Sequence, residues 1–180
     1  MIPGMHFSQA PTLHTERLML RPVVREDAPA HYIMRSDAGL NRYTGVKPCP
    51  SVEAAAGHLK MLIQDAVEHT ALAMTVVDRQ SGETAGEICY WNLSEDGLAA
   101  ELGYVFLPGF HGRGIAYEAV KGFLELGFSG FGFKMIFADP SPENTASVRL
   151  LKKLGFTGGA MCDTPGREDL CHYELTRGGA

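Results

Sequence analysis

The sequence predicts an α+β fold in which a mixed, mostly antiparallel sheet of about six to seven strands is flanked by about four helices. Three strand-like segments, 72–78, 84–92 and 99–106, follow one another across short turns. Short connections favour antiparallel neighbours, because parallel strands need long crossovers. A helix over residues 114–129 and a strand over 134–139 come next. Together with the strand before them they predict a βαβ unit, which adds one parallel pair to the sheet.

The elements before these strands have recognisable end signals. Residues 17–21 (RLMLR) predict a short strand that Pro22 ends. Asp27 is a candidate N-cap for a helix to about residue 35, with Pro29 tolerated in its first turn. Ser51 similarly caps a second helix, whose apolar residues recur at helical spacing.

The remaining segments complete the predicted sheet. Residues 37–50 are rich in Gly and Pro and predict an irregular loop. A helix over about 145–154 ends at Gly155. Two further strands are expected near 156–162 and 169–176. The chain shows no internal repeat that would point to a solenoid.

Length and composition indicate one globular domain. The chain has 180 residues and a mass of 19.5 kDa, which fits a single domain over 15–180 behind a flexible arm over 1–14. The formal net charge is −5 with no basic cluster, which argues against a nucleic-acid partner. No apolar stretch is long enough for a membrane span, and the first residues lack the layout of a signal peptide.

The cysteines and histidines do not suggest a metal site. The four cysteines are widely spaced without a CxxC pair, and the seven histidines show no paired-ligand spacing. Neither zinc nor a disulfide framework is therefore expected. Reduced, partly buried thiols and a cytoplasmic location are the interpretation that follows.

The segment 108–116 (PGFHGRGIA) carries the strongest functional signal, because it joins a predicted strand to the start of a helix. The first amides of a helix lack internal partners, and the helix dipole adds positive charge there. Small residues at Gly112, Gly114 and Ala116 would let a bulky anion approach these amides. Arg113 would add a full positive charge at the rim. This pattern predicts a diphosphate site.

Three other interpretations of this segment exist. A glycine-rich turn that only folds the chain back is a common feature. A P-loop needs GxxxxGK[ST], which the chain lacks. A Rossmann loop needs a third glycine where Tyr117 stands, although Asp139 occupies a position suitable for a ribose-binding acid. The antiparallel strands before the loop also disagree with a dinucleotide fold.

Three strings in register resemble a known family. They are TERLMLRPVVREDA, ELGYVFLPGFHGRGIAYEA and PENTASVRLLKKLGF, and the resemblance extends over about residues 15–176. HGRGIA resembles the (Q/R)xxGx(G/A) acetyl-CoA loop of the GNAT superfamily of N-acetyltransferases. The three strings together are similar to its RimJ/RimL-type branch. The resemblance implies a GNAT-like fold with a βαβ acetyl-CoA-binding core.

The resemblance also implies where acetyl-CoA, the co-substrate, would bind. Pantetheine would lie between the splayed strands 99–106 and 134–139, and the pyrophosphate would meet the loop amides. Asn144 would hydrogen-bond the pantetheine arm, although a helix N-cap is its simpler role. No metal is implied. The cofactor-binding residues expected on this basis are Phe106, His111, Gly112, Arg113, Gly114, Ile115, Ala116 and Asn144.

Two positions depart from the family pattern. His111 stands where Gln, Arg or, in this branch, Trp is usual. Leu151 stands where many members carry the tyrosine that protonates the leaving thiolate. The identity of the general acid therefore stays open.

Glu101 and Ser147 are the candidate catalytic residues. Glu101 matches the glutamate before LGY and could accept the amine proton, or it could be an ordinary ion-paired strand residue. Glu87 on the neighbouring strand is the reserve base. Ser147 completes NTAS, and some relatives are thought to use this serine near the thiolate. Tyr104 is one of three strand aromatics, with Tyr90 and Trp91, that either wall the acceptor site or belong to the core.

The sequence leaves three functional hypotheses. The first is transfer of acetyl to a primary amine, either a protein N-terminus or a small molecule, with segments 37–50 and 163–168 choosing between them. The second, motivated by Leu151, is a non-catalytic acyl-CoA-binding regulatory module. The third is a structural domain without a ligand. The resemblance also admits a homodimer, which no residue pattern supports.

Overall fold

The computed structural model of the chain describes residues 5–177. Within these residues the strands are β1 (Leu13–His14), β2 (Leu18–Pro22), β3 (Leu72–Asp78), β4 (Thr84–Trp91), β5 (Ala99–Phe106), β6 (Met135–Ala138), β7 (Thr157–Met161) and β8 (Cys171–Thr176). The α-helices are α1 (Ala28–Ser36), α2 (Val52–Glu68), α3 (Ile115–Glu125) and α4 (Thr145–Lys153). The predicted α+β fold is confirmed.

The strands form one eight-stranded sheet in the order β1-β2-β3-β4-β5-β6-β8-β7. All neighbours are antiparallel except β5 and β6, which are parallel and joined through α3 as predicted. The count exceeds the six to seven strands expected because β1 has only two residues. A strand this short carries no alternation that a sequence pattern could reveal.

The parallel pair separates early, and this separation creates the cleft. Strands β5 and β6 pair only at Ala99–Met135, Ala100–Ile136 and Glu101–Phe137. Beyond Glu101, β5 continues to Phe106 with β4 as its paired neighbour. The edge of β5 that faced β6 is therefore available for other contacts along its second half.

The two faces of the sheet carry different layers. Side chains alternate along β5, so Ala100, Leu102 and Phe106 join the main core. That core includes buried residues of α3 and Leu151 of α4. A smaller buried cluster, centred on Leu59 of α2, covers the opposite face. Glu101 lies between Ala100 and Leu102, which face the main core, so its side chain points to this second face.

Part of the arm predicted over 1–14 contacts the domain, and residues 1–4 lie outside the described residues. Phe7 is 1% exposed and belongs to the main core. The backbone amide of Met5 donates to the carbonyl oxygen of Gly130 at 3.0 Å. An aromatic side chain on an otherwise polar segment has enough apolar surface to hold that segment on the domain.

The helix predicted over 114–129 ends in a wider turn. After α3 the chain continues as a π-helix over Leu126–Phe131. The phenol of Tyr90 donates to the carbonyl oxygen of Phe123 at 2.8 Å, just before this widening. A side chain that donates a hydrogen bond to a helix carbonyl perturbs the regular backbone hydrogen bonds of that helix. Tyr90 is fully buried, which places it in the core rather than in an acceptor site.

Asp27 precedes α1 as predicted, but its carboxylate makes no capping hydrogen bond to that helix. It accepts hydrogen bonds from both terminal nitrogens of Arg21, at 2.8 and 2.6 Å. It also accepts from the amide of Val24 at 2.9 Å and from the hydroxyl of Thr75 at 2.7 Å. Asp27 therefore ties α1 to β2 and β3, which sequence patterns do not show.

Asp27→Asn is expected to lower the free energy of unfolding by about 2 kcal/mol at neutral pH, because Arg21 loses its counterion. Burial acts to raise the pKa of Asp27, but the bonds from Arg21, Val24 and Thr75 hold it below its ordinary value. The stabilisation is therefore complete above the unfolded-state pKa, about 4, and is lost as pH falls through the folded-state pKa.

Urea unfolding of wild type and Asp27→Asn at pH 7 and at pH 3 tests this expectation. The difference between the two proteins should shrink in acid, and the exposed neighbour variant Glu26→Gln should match wild type at both values. A difference that persists unchanged at pH 3 would contradict the proposed role of the carboxylate.

Candidate active site

A cleft of about 470 Å³ opens where β5 and β6 diverge. The last residues of β5, the loop that follows and the first turns of α3 and α4 form its walls, and Gly39, Leu40 and Tyr43 contribute from the predicted loop 37–50. It brings together most of the predicted site residues. Those that line it are Phe106, His111, Gly112, Gly114, Ile115, Ala116, Asn144 and Ser147.

The glycines of the loop adopt a backbone that other residues avoid. Gly112 has φ 70° and Gly114 has φ 77°, both in the left-handed region. This conformation reverses the chain so that α3 begins at Ile115. Among residues 5–177, no protein acceptor lies in hydrogen-bonding geometry with the amides of residues 112–116. Unpaired donors at the positive end of a helix can bind an anion.

Arg17, which precedes β2 in the chain, holds this loop by hydrogen bonds. Its Nη1 donates to the carbonyl oxygen of Arg113 at 2.8 Å, and its Nε donates to Glu118 at 2.6 Å. The hydroxyl of Thr15 also donates to Glu118 at 2.6 Å. Burial tends to raise the pKa of Glu118, but the bonds from Thr15 and Arg17 lower it overall. The carboxylate thus stays ionised and fixes Arg17 against the loop.

The side chain of Arg113 does not line the cleft, contrary to the expected charge at its rim. Its guanidinium lies 5.4 Å from the centre of the Phe110 ring. Its Nη1 donates a long hydrogen bond, 3.4 Å, to the carbonyl oxygen of Gly109. Stacking of a guanidinium on an aromatic ring competes with projection into the cleft. The backbone amide of Arg113 is still one of the amides of residues 112–116 that form the candidate anion site.

His111 lies against the β5 edge of the cleft. Its Nε2 is 2.7 Å from the carbonyl oxygen of Phe106, and because a carbonyl only accepts, the proton lies on Nε2. The resemblance assigned backbone groups near Phe106 to pantetheine. His111 therefore hydrogen-bonds to a backbone carbonyl that the pantetheine arm would use. The imidazole ring must rotate away before pantetheine can bond to the Phe106 carbonyl.

The start of α4 brings two polar side chains, Asn144 and Ser147, to the cleft. The side-chain oxygen of Asn144 accepts from the amide of Ser147 at 3.2 Å, so Asn144 is an N-cap. The hydroxyl of Ser147 lies 2.8 Å from the phenol oxygen of Tyr104 on β5. Burial raises the pKa of Tyr104 to about 12, against the lowering effect of the Ser147 bond. Leu151, one turn later, is fully buried and offers no acid.

Glu101 lies at the closed end of the divergence and is ion-paired. Both terminal nitrogens of Arg167 donate to it, at 2.9 and 2.5 Å, and the side-chain amide of Asn92 donates at 2.9 Å. Arg167 also contacts Asp139 of the neighbouring strand end at 3.1 Å. Both oxygens of this carboxylate therefore already accept hydrogen bonds from Arg167. Segment 163–168, predicted to influence the acceptor, thus reaches the sheet through Arg167.

Glu87, the reserve base, begins a buried chain of polar side chains. Nδ1 of His31 lies 2.7 and 2.8 Å from its two oxygens. Nε2 of His31 lies 2.7 Å from Nδ1 of His58. Burial, with the nearby charges of Arg35 and His31, lowers the pKa of His58 to about 4, so this ring is neutral at neutral pH. No spacing in the sequence linked these residues.

Two further features of residues 5–177 concern metal ions and membranes. Within that range, no group of three or more His, Cys, Asp or Glu side chains is arranged to hold a metal ion. Over the same residues, no helix has the length and hydropathy of a membrane span.

Comparison with known proteins identifies the family. Residues 17–157 match the acetyltransferase (GNAT) domain. The uncharacterised N-acetyltransferase p20 of Bacillus licheniformis is 31% identical over 145 residues, covering 81% of this chain and 82% of that protein. The chain therefore belongs to the GNAT acetyltransferase family, and it is an acetyl-CoA-dependent acyltransferase.

Solved structures agree on the fold and divide on the branch. Mycobacterium smegmatis RimJ in complex with CoA-disulfide gives a TM-score of 0.76 at 25% identity, covering 88% of this chain and 81% of that one. Vibrio cholerae spermidine N-acetyltransferase in complex with CoA and spermine gives 0.79 at 18% identity, covering 92% and 98%. Because both kinds of enzyme are similar, the RimJ/RimL-type branch stays a prediction.

Proposed function

We propose that this protein is an N-acetyltransferase that moves acetyl from acetyl-CoA to a primary amine by direct attack in a ternary complex. The observation that carries the proposal is the row of unpaired amides over residues 112–116 at the mouth of α3, opening on the cleft between β5 and β6. These donors fit a diphosphate, and the cleft fits a narrow arm that continues from it.

The chain's own residues would bind and orient the donor. Gly112 and Gly114 shape the diphosphate cradle, and Arg17 keeps it rigid. The second half of β5 presents backbone groups to the arm, once His111 releases the Phe106 carbonyl. Acetyl-CoA supplies the activated acetyl group as a thioester. Backbone amides near the opening of β5 are candidate donors to the thioester carbonyl oxygen.

The acceptor would approach the opposite face of the sheet, where two carboxylates lie. Aliphatic amines are mostly cationic at neutral pH and must lose a proton before attack. Glu101 lies where β5 and β6 still pair, whereas Glu87 lies across from Val105, which lines the cleft. Both oxygens of Glu101 accept hydrogen bonds from Arg167, whereas those of Glu87 contact the imidazole of His31. This contrast favours Glu87 with His31 as the base, and Glu101 stays the competing prediction.

The acceptor is either a protein N-terminus or a small amine. One relative is named spermidine N(1)-acetyltransferase of Escherichia coli, and one solved structure of similar fold is named RimL, ribosomal L7/L12 alpha-N-protein acetyltransferase. In this chain Leu40 and Tyr43 from one loop and Arg167 from another border the site and are placed to discriminate between acceptors. A cytoplasmic location and a homodimer remain part of the proposal.

The competing function is a non-catalytic acyl-CoA-binding module. The buried Leu151 and the ion-paired Glu101 favour it, since the first stands in place of the expected tyrosine and the carboxylate of the second is engaged by Arg167. It shares the diphosphate cradle with the enzyme and differs in having no turnover.

A panel of N-terminal peptides, polyamines and small amines, each incubated with acetyl-CoA, tests the proposal. Mass spectrometry should detect a product heavier by one acetyl group for at least one amine, with CoA release in equal amount. CoA binding without any acetylated product across the panel would favour the binding module. Absence of CoA binding would reject both.

A further inference from the structure

A second cavity, of about 440 Å³, adjoins the diphosphate end of the cleft. It shares Gly114, Tyr117 and Lys153 with the cleft and extends from these residues along α3. Gly114 belongs to the diphosphate cradle, whereas Tyr117 and Lys153 have no part in the proposed binding of the diphosphate or of pantetheine. The region where the two cavities meet is therefore one to which the proposed function assigns no group of the donor.

One face of α4 runs along the cleft from the strand divergence to this region. The residues of this face that line the cleft recur every three positions and are Asn144, Ser147, Leu150 and Lys153. Lys153 follows Asn144 by nine residues, about 14 Å along the helix axis. The start of α4 contacts Tyr104 of β5, and its end contacts Tyr117 of α3. Lys153 thus lies at the end of the cleft that is far from the thioester.

The ammonium group of Lys153 has a defined position and no negative partner. Its Nζ lies 4.6 Å from the centre of the Tyr117 ring, whose face attracts a cation. Among residues 5–177, Lys153 forms no salt bridge. Lys121 follows Tyr117 by one helical turn and lines the same second cavity. An exposed, positioned ammonium group of this kind can pair with a phosphate of a ligand.

The acidic residues that border the second cavity leave this position open to an anion. Glu118 is already paired with Arg17 at 2.6 Å. Glu125 follows Tyr117 by eight residues on α3, about 12 Å along the helix axis. Glu16 is exposed, so solvent screens its charge.

We propose that Lys153 binds the 3′-phosphate on the ribose of CoA, so that the protein distinguishes CoA from 3′-dephospho-CoA. In CoA the diphosphate joins pantetheine to the ribose, and the 3′-phosphate is attached to that ribose. When the diphosphate contacts the amides of residues 112–116 and pantetheine extends toward β5, the ribose leaves the cradle on the side of Tyr117 and Lys153. The assignment rests on the proposed function, because it takes acetyl-CoA as the donor.

A lysine in the last turn of a helix also stabilises the helix dipole, whatever the ligand. Lys152 separates this structural role from phosphate binding. It lies in the same last turn of α4, is exposed, and is not among the residues that line either cavity. Lys152→Met therefore removes the same charge from the helix end and leaves both cavities unchanged, which makes it the matched control for Lys153→Met.

Isothermal titration calorimetry with CoA and with 3′-dephospho-CoA tests the proposal. Wild type should bind CoA about tenfold more tightly than 3′-dephospho-CoA. Lys153→Met should bind CoA about tenfold more weakly than wild type does and should bind 3′-dephospho-CoA with unchanged affinity. That unchanged affinity also shows that the variant is folded and its cradle intact. Lys152→Met and Lys153→Arg should both keep the preference of wild type for CoA.

Three results would overturn the proposal. They are equal affinity of wild type for the two ligands, equal losses for both ligands in Lys153→Met, and the same loss of preference in Lys152→Met. Failure of the proposed function gives a different pattern. If wild type bound neither ligand, the cradle and this assignment would both be rejected, whereas binding of CoA without acetylation of any amine would reject only the enzyme.

Discussion

Gly114→Val is expected to weaken CoA binding by about 100-fold or more. Gly114 has φ 77°, where a β-branched residue is strained by about 1–2 kcal/mol. Its side chain would also stand beside the amides that begin α3, and an added Cβ already lies 3.4 Å from Arg17. If the backbone relaxes, the amides of residues 112–116 no longer point at the diphosphate. If it does not relax, the valine side chain obstructs the approach of the diphosphate to these amides. Isothermal titration calorimetry with CoA measures the loss.

Gly109→Val is the matched control within the same loop. Gly109 is not among the residues with positive φ, and an added Cβ there meets nothing within 4 Å. This variant should bind CoA within about twofold of wild type, and thermal melting should show both variants folded. Equal affinity of Gly114→Val and wild type, or equal losses in both variants, would contradict the cradle assigned to residues 112–116.

Glu87→Gln is expected to lower kcat by about 100- to 1000-fold at neutral pH with CoA affinity unchanged. The variant removes the carboxylate that contacts His31 and leaves the cleft intact. The deficit should shrink as pH rises toward the amine pKa, because the acceptor then arrives unprotonated. Rates of CoA release over a range of pH measure both effects.

Glu101→Gln is the matched comparison, since it makes the same change on the adjacent strand. Its carboxylate already accepts hydrogen bonds from Arg167 and Asn92, so kcat should fall by less than about tenfold. The reverse order, a severe loss in Glu101→Gln and a mild one in Glu87→Gln, would return the base to Glu101. Full activity of both would mean that the amine loses its proton to water without a side chain.

The parts of the fold that the sequence predicts are those governed by local rules. Short turns between β3, β4 and β5 predict that these strands are antiparallel neighbours. The helix between β5 and β6 predicts that these two strands are parallel. Gly155 marks the end of α4 because its φ of 92° suits glycine. The loop at residues 112–116 is predictable for the same reason, since glycine, a strand end and a helix start act together.

The contacts that sequence reasoning missed join distant segments. Arg17 and Glu118 are 101 residues apart, and Arg167 and Glu101 are 66 apart. His31 of α1 contacts Glu87 of β4, 56 residues further along the chain. Glu101 was identified from the motif before LGY, yet its environment depends on where the segment 163–168 folds. No periodicity encodes such pairings, which follow from tertiary packing.

Amide chemical shifts recorded by NMR during a CoA titration examine the cradle without any substitution. Binding of the diphosphate should move the amide protons of residues 112–116 downfield, and pantetheine, which lacks the diphosphate, should leave them in place. Unmoved resonances for this segment at saturating CoA, with shifts elsewhere on the surface, would show that the diphosphate binds at another site.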